Sequence, residues 1–234
     1  MIYATSDLHG YPYKDFCKLL DKAKFSDDDF LFVLGDVIDR NGDGGAEMLR
    51  ELMLMPNAEL LMGNHEAMLL ACRFIFDEVT DDLLDSLDAD KLDVLQNWLY
   101  NGAEPTIHSL KKLYRKDKDE LLNLISYIDE APLYETVSLP NGDFLLTHSG
   151  LGNFAPRKPL SAYEAHDFLW HRPDINEKYF ADVTTVFGHT PVWYYGKKDG
   201  RMLRTETWID IDTGAAGGGT PMLLRLDDLK EFYV

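Results

Sequence analysis

Cysteine is nearly absent from this 234-residue chain, and Cys17 and Cys72 alone make no disulfide framework. Such sparse usage fits a reducing compartment, so a cytoplasmic location is expected. Neither thiol suits a cysteine-dependent phosphatase, which needs a phosphate-cradling loop and an arginine six residues on, where Ala23 and Glu78 stand. Positive charge is also scarce: 23 Lys and Arg against 41 Asp and Glu leave a net charge of −18. With no basic stripe, duplex nucleic acid and anionic membrane surfaces are excluded as partners. No run of 18 apolar residues occurs, and Met1–Asp7 carries no basic stretch leading into an apolar one, so neither a membrane span nor an export signal is expected.

What is present suits a globular α/β protein. The length and a 45% hydrophobic composition allow a well-buried core, read as a single domain over 1–234. Residues 1–6 and 29–34 are β-rich runs, and between them Phe16, Leu19, Leu20 and Ala23 share one helical face. Strand, helix and strand in that order favour a parallel pair. A helix from about 44 to 55, a strand at 58–62 and a helix from Asn64 toward Phe76 repeat the pattern. From about 78 to 130 the texture is acidic and helical, with Leu83, Leu84, Leu87, Leu92, Leu95, Trp98 and Leu99 spaced like a buried face; this is read as a helical insertion that walls a cleft. A hairpin over Leu133–Thr147 turns at Asn141-Gly142. Runs at 184–187, 192–195, 202–205, 208–211, 222–226 and 231–234 then read as a second strand-rich set, giving two sheets flanked by helices.

The chemistry is concentrated where strands give out. Asp7 and His9 follow the first strand, Asp36, Asp39 and Arg40 the second, and Asn64, His65 and Glu66 the third. Two later segments, Thr147–Gly150 and Gly188–Pro191, add His148 and His189 in the same setting. Open α/β sheets place ligands at carboxyl strand ends. Hard dications need oxygen and imidazole donors on rigid supports, so the ordered set points to two-metal phosphoester chemistry. A bridging carboxylate would hold two ions about 3.5–4 Å apart, the spacing that stabilises both attacking and leaving oxygens. The ions' charge would also answer the puzzle of an acidic protein that binds phosphate.

Seven motifs in order, SDLHG at 6–10, GDVIDR at 35–40, GNHE at 63–66, WLYNG at 98–102, THSG at 147–150, FGHTP at 187–191 and IDTGA at 211–215, resemble the metallophosphoesterases. Within that family the chain is similar to the serine/threonine protein phosphatase branch in its short bacterial and phage form. The resemblance implies a four-layer α-β-β-α sandwich with a dinuclear site along one edge. It implies that Asp7 and His9 hold one metal, that Asp36 bridges, and that Asn64, His148 and His189 complete the second site. It implies a nucleophilic hydroxide held between the metals, with His65 protonating the leaving group, Asp39 orienting His65 and favouring its imidazolium, and Arg40, Arg172 and Asn64 holding phosphate. Manganese is the expected metal, and the mixed donor set also admits iron or zinc.

The expected reaction is dephosphorylation of serine or threonine in a phosphoprotein. Met62 stands where such phosphatases usually carry arginine before Gly-Asn-His-Glu, which resembles the related diadenosine tetraphosphate hydrolases; those favour Asp where this chain has Glu66. Hydrolysis of dinucleoside polyphosphates or another small phosphoester is therefore the alternative. An idle binding or regulatory module is the third reading, and such a relative would be expected to have lost ligands. Asn41 replaces a glycine common in the family and is expected to tolerate the left-handed turn there. The bland readings that compete with these roles are Asp7, Asp36 and Asp39 as helix caps, His148 and His189 as core histidines and Arg172 as a surface residue; His171 is read as local structure and not as a ligand. His108 and His166 are expected to be exposed and Trp98 and Trp208 in the core. Residues 212–215 are expected to support the His189 loop, residues 217–219 to form a turn, with bordering the cleft as the alternative, and Tyr194 and Tyr195 to pack as strand aromatics, with lining a substrate groove as the alternative.

Overall fold

A computed structural model describes residues 1–77, 80–81 and 87–234. Strands β1 (Ile2–Thr5), β2 (Phe30–Val33) and β3 (Ala58–Leu60) run parallel, linked by helices α1 (Tyr13–Ala23) and α2 (Ala46–Leu54). Helix α3 (Asn64–Ala71) follows β3. Period-two alternation explains why this sheet is covered on both faces. Tyr3, Leu31, Val33 and Leu60 pack against the helices, whereas Ala4, Phe32 and Leu34 point the other way into a second cluster. On α1 the predicted face of Phe16, Leu19, Leu20 and Ala23 is the buried one.

The second sheet contains β4 (Tyr134–Leu139), β5 (Gly142–Thr147), β6 (Val183–Phe187), β7 (Leu203–Arg204) and β8 (Trp208–Asp210), in the order β4-β5-β6-β8-β7. Its Val137, Phe144, Leu146, Val186 and Ile209 meet the inner residues of the first sheet in one apolar layer. Each such buried aliphatic side chain contributes about 1.5–3 kcal/mol. The outer face, with Leu145, Phe187 and Trp208, is covered by the 151–180 segment, including the short helix α7 (Ala165–Leu169). The layers are therefore α-β-β-α, the fourth being a thin one of loops and a single short helix.

Helices α4 (Ala89–Tyr100), α5 (Glu104–Lys116) and α6 (Lys118–Asp129) form the inserted region and pack on the first sheet's helical side. Leu83 and Leu84 lie outside the described residues. Of the remaining predicted face, Trp98 is fully buried, but Leu92 and Leu99 are exposed: α4 lies against its neighbours through a narrower stripe than the leucine spacing suggests.

Two strand expectations are corrected. The last strands, β9 (Met222–Arg225) and β10 (Lys230–Tyr233), join the first sheet, where β9 pairs antiparallel with β1. Their inner residues Met222 and Leu224 then share the layer between the sheets. Residues Val192–Tyr195 are a 3-10 turn. Pro191 precedes it and left-handed Gly196, with φ 82°, closes it, so the β-rich composition yields to its flanks. Among the described residues no helix is long and apolar enough to cross a membrane.

Candidate active site

All the predicted donors converge. β1, β2 and β3 in one sheet and β5, β6 and β8 in the other present their carboxyl ends along one edge. Six loops therefore deliver Asp7 and His9, Asp36 and Asp39, Asn64 and His65, His148, His189 and Asp212 to a common cleft. Every one of these side chains is buried. Backbone bonds brace adjacent loops, with the Asp7 N–H donating to Gly35 O and the His9 N–H to Asp36 O, at 3.1 and 2.9 Å. The sheets are joined here too. His148 Nδ1 donates to Leu34 O at 2.7 Å, and the His189 N–H donates to the Asp7 carboxylate at 2.8 Å.

Close approach dictates two glycines. A Cβ on Gly63 would lie 2.3 Å from the Asp36 nitrogen, and one on Gly188 would lie 2.0 Å from the Asp7 carboxylate. The non-glycine backbone is strained as well. Of nine such residues with positive φ among those described, six are Asp7, His9, Asp36, Asp39, Arg40 and His189. Residues held this way cluster at functional sites because surrounding structure must enforce them. Asn41 is not among them: the left-handed turn falls on Asp39 and Arg40, and the Asn41 side chain instead donates to His9 O at 3.0 Å and to Ala215 O at 3.3 Å.

Donor atoms of His9, Asp36 and His65 lie within 4.8 Å of one another, as do those of Asp36, His148 and His189. Asp36 belongs to both groups. Asp7 Oδ1 stands 3.8 Å from His9 Nε2. Three features fit a pair of cations. His189 Nε2 is buried with no hydrogen-bond partner. His148, whose Nδ1 proton is committed to Leu34, turns a bare Nε2 toward Asn64 Oδ1 at 2.9 Å, two acceptors face to face. Likewise His9 Nδ1 donates to Ile38 O at 2.9 Å, leaving Nε2 free for the cleft. Burial also shapes the charges. It lifts Asp36 well above the usual carboxylate range, helped by neighbouring Asp7 and Glu66, and lifts Asp7, while it holds His9 and His189 well below the ordinary imidazole value. Carboxylates out of water without a partner cation are costly.

Beside the donors, His65 Nδ1 meets Asp39 Oδ2 at 2.5 Å. Burial, then the Arg40 guanidinium, holds His65 well below its ordinary pKa, which opposes the imidazolium that Asp39 was expected to favour; Asp39 itself is pushed up to about 6 by burial. Arg40 Nη2 donates to His65 Nε2 at 3.3 Å, and Arg172 Nη1 donates to His189 O at 2.9 Å. Both arginines line the cleft, a cavity of about 310 Å³ that also includes Trp170, Trp193, Tyr194 and Asn101. His108 and His166 are exposed and Trp98 and Trp208 buried, as expected.

Several partners escaped the motif reading. Thr106 Oγ1 donates to Asp39 Oδ1 at 2.5 Å and Trp98 Nε1 donates to Asp39 Oδ2 at 2.8 Å, so the inserted helices hold the carboxylate that orients His65. Glu66 accepts the backbone N–H groups of Asp36 and Val37 at 2.8 and 2.9 Å, fixing the second loop. Asp212 lines the cleft although expected only to support it; Val192 N–H does donate to its carbonyl at 2.9 Å. Its signal was available, since Asp212 follows β8 as Asp7 follows β1. Thr106→Val is nearly isosteric and removes the hydroxyl from a buried network. It is expected to lower the unfolding free energy by about 1–3 kcal/mol, read from the urea midpoint. An unmoved midpoint would show that Asp39 does not depend on that bond.

Comparison with known proteins agrees with this architecture. The family described as calcineurin-like phosphoesterase matches residues 1–211. The chain belongs to the calcineurin-like phosphoesterases. Members of the family are hydrolases dependent on a dinuclear metal centre, in keeping with the two donor groups that share Asp36. A symmetrical bis(5'-nucleosyl)-tetraphosphatase of Erwinia tasmaniensis is 35% identical, over 98% of this chain and 95% of that protein. The alignment runs to 272 positions, so the relative carries stretches that this 234-residue chain lacks. A protein of the same name from Nitrosospira multiformis is 35% identical over 42% of this chain and 36% of its own length. Among solved structures, one proposed to be a diadenosine tetraphosphatase has a TM-score of 0.61 at 18% identity, covering 100% of this chain and 92% of its own. A serine/threonine phosphatase of Saccharomyces cerevisiae has a TM-score of 0.56 at 15% identity, covering 100% of this chain and 79% of its own. At those identities the likeness concerns the fold.

Proposed function

We propose that this phosphoesterase hydrolyses a dinucleoside polyphosphate or a closely related nucleotide anhydride. The observation that carries the reading is the near full-length, 35% identical relative named a symmetrical bis(5'-nucleosyl)-tetraphosphatase. Two features of the cleft support it. Met62, where the protein phosphatases place a third phosphate-gripping arginine, is buried and absent from the cleft wall, leaving Arg40 and Arg172. The rim carries Trp193 and Tyr194, both 61% exposed, flat surfaces suited to nucleobases.

In this reading Asp7, His9 and Asp36 would hold one divalent ion and Asp36, Asn64, His148 and His189 the other, manganese being the first choice and iron or zinc compatible with the donors. Such ions would supply charge neutralisation and acidify a water. The chain's own residues do the rest. Arg40 and Arg172 fix phosphate oxygens with planar forks and Asn64 adds a neutral contact. His65, aligned by Asp39, would protonate a departing alkoxide, a demand that is much weaker for a nucleotide leaving group. The two free thiols suit a reducing compartment, and no macromolecular partner is required.

A phosphoserine or phosphothreonine protein is the second reading, favoured by Glu66, the residue of the protein phosphatase motif. Manganese-loaded protein offered diadenosine tetraphosphate or a phosphothreonine peptide separates the two. The expected outcome is a higher kcat/KM on the dinucleotide. Preference for the peptide would overturn the first reading, and silence on both would point to another small phosphoester or to the regulatory module.

A further inference from the structure

The cleft continues past Arg172. A second groove of about 390 Å³ opens on its far side, walled by Pro173, Asp174, Ile175 and Tyr195, and Arg172 and Tyr194 line both cavities. Each is of the size of a small-ligand site, roughly 300–1,000 Å³. The turn between them is built to present an aromatic face. Val192 is buried while Tyr194 projects outward, its ring supported edge-on by Tyr195 at 5.5 Å between centroids. Tyr195 is pinned in turn to the opposite wall, its hydroxyl donating to Pro173 O at 3.1 Å. Tyr194 is therefore a supported ring that remains 61% exposed, with Ile175, 43% exposed, lining the same groove.

We propose that this groove is a nucleoside subsite, in which a base stacks on Tyr194 while Arg172 grips the phosphate chain as it leaves the catalytic cleft. The inference rests on the dinucleotide reading above. Charge sets the direction. The cation lies at the junction with the catalytic cleft, whereas the outer wall carries the Asp174 carboxylate, fixed by the Asn176 N–H at 2.9 Å. A polyanion is held at the Arg172 end, and the uncharged nucleoside occupies the acidic end. Stacking recognises the face that every base offers, so the subsite would distinguish nucleotides from bare phosphate chains more strongly than one base from another.

The test compares ADP with pyrophosphate as calorimetric ligands for the manganese-loaded wild type, Tyr194→Ala and Tyr194→Phe proteins. Losing one base–aromatic stack is expected to reduce the preference for ADP over pyrophosphate about 5- to 150-fold in Tyr194→Ala. Tyr194→Phe, which keeps the ring, should retain it. An unaltered preference in Tyr194→Ala, or equal weakening of both ligands, would overturn the subsite. If the wild type cleaves diadenosine tetraphosphate and the preference is unaltered, the subsite fails while the substrate reading stands. If it does not cleave the dinucleotide, the substrate reading fails, and loss of the ADP preference in Tyr194→Ala would still establish nucleoside binding.

Discussion

His65→Asn protein is expected to lose about 10²–10⁴-fold in kcat on a phosphothreonine peptide, the usual contribution of general acid catalysis, and much less on diadenosine tetraphosphate. The asymmetry follows from the leaving groups. Threonine departs as an alkoxide and must be protonated as the bond breaks. A nucleotide departs as a phosphate, whose second pKa is about 6, and leaves as a stable anion. His65 stands where it can matter in two ways: its Nδ1 is held by Asp39, and its Nε2 lies 3.7 Å from Asp36 Oδ2, close enough to share a cation. Metal content after gel filtration separates these roles. If His65→Asn retains the wild-type metal content and shows the asymmetric loss, the proton-transfer role holds. An equal, deep loss on both substrates with reduced metal content would make His65 a ligand instead.

The second large effect concerns stability. Stripped by a chelator, the protein is expected to lose stability as pH rises from about 7 to 8, and to regain it when metal is restored. Asp36, Asp210 and Asp212 are raised well above the carboxylate range by burial, and Glu66 is pushed up to about 7. A carboxyl whose folded pKa exceeds its unfolded value of roughly 4 binds more protons in the native state between those two values. Stability therefore falls as pH rises through the folded value. The buried imidazoles of His9, His65, His148 and His189 are lowered and act oppositely, an effect that fades only as the unfolded imidazoles lose their last protons between about pH 6.5 and 7.5. Toward pH 8 the carboxylates dominate. A tenfold change in a carboxyl's acidity on folding corresponds to about 1.4 kcal/mol, and 1 kcal/mol moves Tm by roughly 2–4 °C in a chain of this size. Metal reverses the slope because it binds deprotonated ligands and stabilises the folded state by mass action. Calorimetry at pH 7, 7.5 and 8, with chelator and with manganese, checks this. A metal-free Tm that is flat or rises over that range would mean that the cluster's charge is relieved otherwise.

The cleft residues were legible because each follows a short apolar strand, and a strand end fixes where the next few side chains go. Asp7, Asp36, Asn64, His148 and His189 come together as that rule requires. The supports were not legible in the same way. Nothing local to Asp39 announces that Thr106 and Trp98, more than fifty residues on, will hold its two oxygens. The pairing of β9 with β1 joins opposite ends of the chain, and its alternating residues would bury equally well in either sheet. At Val192–Tyr195 composition pointed to a strand, but Pro191 and left-handed Gly196 set the backbone, turning Tyr194 outward while Tyr195 packs beside Trp208.

The left-handed residues around the cleft bear on how this protein could change over generations. Each non-glycine residue held there costs of order 1–3 kcal/mol, against a typical net stability of about 5–15 kcal/mol for a whole domain. Six of them share one cleft with several buried carboxylates, so the part of the molecule that carries the chemistry is also a part that weakens the fold. Selection for heat resistance alone would run against those positions first, and selection for activity would hold them. Improvements in robustness must then accumulate elsewhere, in the apolar layer between the sheets and on the helical face, where a substitution can strengthen packing without disturbing an aspartate or a histidine.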